Sequence, residues 1–160
     1  MAKKLFQPLY FLGLVAEELI KAFETPDKLL TFLTENVNHM YSVQLFPEER
    51  ERELMADRNR DRVYDAILVI NNVVPAWYNN LQDPIEPMAR GIQEVIGYHG
   101  AEGWADMVGR FAVALSRDVT QVSCSIKYTE VLLRQYTAFC LTLAHVKDYE
   151  AFQNREKKAA

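Results

Sequence analysis

Cysteine is nearly absent from this chain. Only Cys124 and Cys140 occur among its 160 residues. Placed on one helix, they would stand about 24 Å apart, whereas a disulfide holds its alpha carbons within roughly 4.4–6.8 Å. An internal disulfide and a metal-finger spacing are therefore both excluded, and two thiols that cannot pair fit a reducing, cytoplasmic setting. Basic charge is not in excess either. Eighteen Lys and Arg against 22 Asp and Glu leave a formal charge of −4, and no basic run marks a nucleic-acid partner. No window reaches the roughly 18 uninterrupted apolar residues of a membrane span. The opening MAKKLFQPLYFLGLVAEEL carries two lysines before an apolar run. Gln7 and Pro8 interrupt that run and Leu14-Val15-Ala16 lacks a small-x-small cleavage pattern, so it is not read as an export signal. With six Gly and six Pro, helix breakers are scarce.

What is present is helical periodicity. A chain of 160 residues, 49% hydrophobic and 25% charged, suits a single domain, 1–160. Leu9, Leu12, Ala16, Leu19 and Phe23 form one stripe of a helix from Pro8 to Phe23. A second start follows at once: Thr25 can cap, Pro26 suits the first helical position and Asp27 favours the positive helix end. Leu29, Leu30, Phe32, Leu33 and Val37 carry this helix to about Met40, and Tyr41 to Phe46 reads as a corner stopped by Pro47. PEERERELMADRNRDRVYD then alternates acids and arginines before turning apolar through Val63, Ala66, Ile67, Ile70, Val73 and Val74, with Pro75 kinking or ending the helix. Trp77 to Leu81 reads as a connector. The last helix is expected from about Ser123 to Phe152 on Tyr128, Leu132, Tyr136, Phe139, Leu143 and Val146, with NREKKAA fraying.

Chemistry concentrates near His99. Met88, Ile92, Val95 or Ile96, and His99 fall three and four apart, so an apolar helical face ends in an imidazole. Five of the six glycines lie between Gly91 and Gly109; Gly100 is expected to end this helix, and Gly103 and Trp104 to open the next, which carries Met107, Val108, Phe111, Ala112 and Leu115. The imidazole can be a metal ligand or a core histidine bonded to a carbonyl. Asp57, Asp61 and Asp65 recur every four residues and could chelate magnesium for a small hydrolase, but Arg58, Arg60 and Arg62 are interleaved, which fits a solvated ion-paired face better. Glu35 with His39 reads as a helix-end pair, His145 as a surface or packing residue. No nucleophile–base pair supports hydrolase chemistry, and the chain reads as a binding protein rather than an enzyme.

Four passages, in this order, resemble the globin family. DAILVINNVVPAWYNNL, from Asp65 to Leu81, is similar to the distal helix and the turn after it. EVIGYHG, from Glu94 to Gly100, is similar to the pattern around the iron-binding histidine. MVGRFAVAL, from Met107 to Leu115, and VLLRQYTAFCLTL, from Val131 to Leu143, resemble the last two helices. The link from the histidine to the valine-glycine pair is shorter than in familiar globins, and an arginine stands where histidine or glutamine is usual.

The resemblance implies an all-α, globin-like fold of seven to eight helices holding haem b. His99 would be the iron ligand, Arg62 would stand over the iron, Ala66 one turn on, Phe46 would wedge the ring, and Phe32, Ile70, Ile96 and Val108 would line the pocket. The function implied is reversible binding or sensing of a diatomic gas, with an external reductase for any sustained turnover. The alternative is a haem-free globin-like sensor or protein-interaction module, with a homodimer through its last two helices as its assembly. Its anchors would be exposed aromatics such as Trp77 or Trp104.

Overall fold

The computed structural model describes residues 7–42, 64–120 and 126–159. None of these residues is in a strand, so the chain is all-α as its periodicity requires. Five helices lie wholly within the described residues: α1 Gln7–Phe23, α2 Pro26–Ser42, α4 Val74–Tyr78, α5 Ile85–Thr120 and α6 Ile126–Ala159. Residues 64–72 form a further helical stretch, α3.

The first two helices begin and end where their residues say they should. Glu24, in the left-handed region at φ 68°, turns the chain after Phe23. Its N–H donates to the carbonyl of Ile20 at 2.9 Å. Thr25 Oγ1 then accepts the N–H of Lys28 at 3.3 Å and caps α2, with Pro26 in the first turn. Further on, Pro75 has no N–H to give, so α3 stops and α4 starts afresh around it. Trp77 and Tyr78, expected in a connector, belong to α4, and its end is closed by Asn79 N–H on the carbonyl of Pro75 at 2.9 Å.

With α3 the described residues carry six helical stretches, fewer than the seven to eight expected, because two of the expected helices run together in α5. At Gly100 the backbone takes φ 69° and ψ −167°, a bend between two helical halves of one continuous run. The second half resumes at Ala101 rather than at Gly103. Nor does the end fray by Asn154: α6 continues to Ala159, with Lys157 and Lys158 favourably placed against the negative end of the helix.

The core is aromatic at its centre. Phe32 stacks on Phe139 at 5.5 Å and meets Phe111 edge-on at 5.2 Å and Phe23 at 5.3 Å. Trp104 lies 6.2 Å from Phe139. Four helices thus meet at one point, and α1 lies against both α5 and α6. Such ring pairs each contribute about 0.5–1.5 kcal/mol beyond the area they bury. The indole of Trp104, 1% exposed, is satisfied as well: Nε1 donates to Thr142 Oγ1 at 2.8 Å, and that hydroxyl donates to the carbonyl of Phe139. Trp77 and Trp104 are both buried, so neither is available as the exposed anchor that the interaction reading assigned them.

Candidate functional site

His99 closes the first half of α5, and its partner comes from the start of α3. Asp65 follows helical spacing with Val69 and Val73, both fully buried, so the same face that enters the core begins with a carboxylate. Asp65 Oδ1 lies 2.7 Å from His99 Nδ1. The Asp65 side chain is 4% exposed and that of His99 41%. Burial pushes the Asp65 carboxyl above the usual 3.8; the hydrogen bond and charge of His99 pull it down, and nearby Asp106 pushes it up again. When Asp65 is ionised, Nδ1–H donates to it and the ring's free lone pair is at Nε2.

Gly103 makes this pairing possible. A Cβ there would collide with His99 Cβ and with Asp65 Oδ2, so only glycine lets the second half of α5 pass beneath the pair. Around the imidazole stand two tyrosines: Tyr64 meets His99 edge-on at 6.1 Å and Tyr98 at 5.9 Å. Both tyrosines are exposed. The result is a rigid, solvent-facing patch of three rings with a carboxylate behind it. Chemically it can accept a proton or offer one ring nitrogen as a ligand.

The expected pocket residues are distributed as follows. Phe32, Ala66, Ile96 and Val108 are all buried members of the one core, and Ile70 packs at its edge. Phe32 is enclosed by Phe23, Phe111 and Phe139. His99 stands apart from that aromatic centre, on the half-exposed rim. Phe46 and Arg62 lie outside the described residues, as do Asp57, Asp61 and Cys124. The side chain of His39 is also outside them, while His145 is half-buried on α6.

A flat cofactor held by His99 and covered by α3 would need space between α3 and the first half of α5. That space is closed at both ends. Asp65 touches His99 at one end, and at the other a Cβ on Gly91 would strike the backbone carbonyl of Asn72. The two helices are in backbone contact, so the described residues do not fit a haem between them. Among the described residues, no group of three or more His, Cys, Asp or Glu is arranged to hold a metal ion.

Three residues of this region carry roles that their sequence surroundings do not announce. Asp65 belongs to the acidic ladder by its spacing, and its register with Val69 and Val73 is the one local signal of its burial. Glu150 accepts the N–H of Ala101 at 2.9 Å, and Thr142 holds Trp104. Both partners are far along the chain and no local signal names them. No helix of the described residues is long and apolar enough to cross a membrane. Compared with protein-family models, curated proteins and solved structures, the chain matches none.

Proposed function

We propose that this chain is a haem-free helical module that works by binding protein, its fold providing rigid surfaces rather than a cofactor pocket. The observation that carries this reading is the Asp65–His99 contact at 2.7 Å over Gly103. An imidazole locked to the neighbouring helix, with the two backbones touching again at Gly91 and Asn72, serves as a clasp between helices. A binding role is supported by large side chains left outside the core on rigid elements: Tyr98 beside the clasp, and Leu133 and Leu141 on one face of α6. Tyrosine is enriched in protein interfaces.

The test is a hemin titration of the purified full chain. Only weak, unsaturable absorbance, the same in His99→Ala, is expected. A saturable Soret band that shifts on reduction and with carbon monoxide, and disappears in His99→Ala, would overturn the reading.

That second outcome would favour a globin-like, haem b protein that binds or senses a diatomic gas. One observation speaks for it: a carboxylate on Nδ1 fixes the tautomer and basicity of an imidazole and leaves Nε2 to a metal. It would require α3 to move off α5.

A further inference from the structure

The two faces of α6 are both ordered at steps of three and four. One row, Leu132, Gln135, Phe139, Thr142, Val146 and Tyr149, is buried against α1 and α5. The opposite row is Ile126, Glu130, Leu133, Thr137, Leu141, Ala144 and Asp148, and every member is exposed. Solvent-facing helix rows are normally charged. Here Ile126 is 80%, Leu133 46% and Leu141 51% exposed. Beside Thr137 and Leu141 the surface is concave, a groove of about 290 Å³ between α6 and α1.

We infer that this row is a self-association surface: two copies of the chain pack α6 against α6, antiparallel, about a two-fold axis at Thr137. The argument is the symmetry of the row. Leu133 and Leu141 stand four positions either side of Thr137, so the axis sets each Leu133 level with the partner's Leu141. Glu130 and Ala144 stand seven positions either side, so each acid meets a small residue that leaves it a path to solvent. Lys127 stands ten positions before the centre and Asp148 eleven after it, which brings each lysine to the partner's Asp148 at both ends of the contact. Neither residue is in an ion pair among the described residues. A parallel pairing would instead set Glu130 against the partner's Glu130 and Asp148 against the partner's Asp148. Charge therefore selects a second copy and its direction.

From Lys127 to Asp148 the surface is about 32 Å long at about 1.5 Å per residue. One helix face of that length makes an interface at the small, reversible end of the range, below about 1,200 Å². The dimer is accordingly concentration-dependent, with dissociation on the order of micromolar or weaker. This inference rests on the reading of the chain as an interaction module and names its partner.

Sedimentation equilibrium of the full chain across about three decades of concentration tests it. The mass is expected to rise from 18.5 kDa towards twice that value. Leu133→Glu and Leu141→Glu, at sites already half exposed, should each weaken association at least about tenfold, with unchanged helical circular dichroism. Lys127→Asp should weaken it roughly threefold to tenfold, and adding Asp148→Lys should restore it. A chain that stays monomeric throughout, or a dimer indifferent to both leucine variants, overturns the proposal. A dimer weakened by the leucine variants but strengthened by Lys127→Asp overturns the antiparallel direction. Hemin binding by a chain that still dimerises removes the haem-free reading and leaves the α6 contact standing, so the two failures are distinct.

Discussion

Glu150 Oε2 accepts the backbone N–H of Ala101 at 2.9 Å, one residue beyond the bend at Gly100. The bend is thus held from both sides, by Asp65 on His99 and by Glu150 on Ala101. A carboxylate there also meets the positive end of the second half of α5. Glu150→Gln should cost about 0.5–1.5 kcal/mol. Gly100→Ala should cost about 1–3 kcal/mol, because φ 69° with ψ −167° is a region open almost only to glycine. Urea unfolding at fixed pH measures both. Equal stability of Gly100→Ala and the parent would mean that α5 straightens at no cost.

Acid-base linkage at Asp65 gives a second expectation. Its folded-state carboxyl lies above the usual 3.8, so the folded chain holds this proton more tightly than the unfolded one. The contribution to stability is therefore complete below about 3.8 and is lost as pH rises through the folded value. Asp65→Asn has no such proton, so the parent should lose stability relative to this variant as pH rises from that point. In His99→Ala the two influences that lower the carboxyl are gone, and the loss should extend to higher pH. At neutral pH that variant should cost about 1–3 kcal/mol, the penalty of a buried acceptor left unpaired. Chemical denaturation across a pH series reads the slopes; parallel curves for the parent and Asp65→Asn would refute the linkage.

Glycines six positions apart should respond in opposite directions. Gly97 is helical and has nothing within 4 Å of where a Cβ would sit, so Gly97→Ala should stabilise by about 0.5–1 kcal/mol. At Gly103 the same methyl collides with His99 and Asp65, and Gly103→Ala should destabilise by about 1–3 kcal/mol. Thermal unfolding of the two variants side by side decides it, and a stabilised Gly103→Ala would mean that the clasp is not packed as described.

Trp104 and Thr142 should behave as a coupled pair. Thr142→Val strands a buried indole N–H and should cost about 1–3 kcal/mol, whereas in Trp104→Phe the donor is removed together with its need. The double variant should therefore be less unstable than the sum of the singles by about 0.5–3 kcal/mol in a double-mutant cycle. Strict additivity would show that the hydrogen bond contributes nothing.

Much of the helical layout was legible because its signals are local. The stripe Leu9, Leu12, Ala16, Leu19 and Phe23 is buried throughout, and Thr25 caps α2 as its position before Pro26 suggested. Gly100 was recognised as a break, since a helix end wants a residue free to take positive φ. The site was half legible. His99 stood out, but its partner did not, because Asp65 lies 34 positions earlier within a run of acids and arginines. Trp104 and Ala101 likewise depend on residues 38 and 49 positions away.

Residue order alone decided that the described residues are helical and which side of each helix turns inward. These follow from steric and hydrophobic rules acting over three or four residues. Which helix lies against which was settled only by folding. That choice sets an aspartate on His99, closes the gap between α3 and α5, and leaves the row through Thr137 uncovered, because pairing between distant side chains depends on how whole helices pack and carries no local periodic mark.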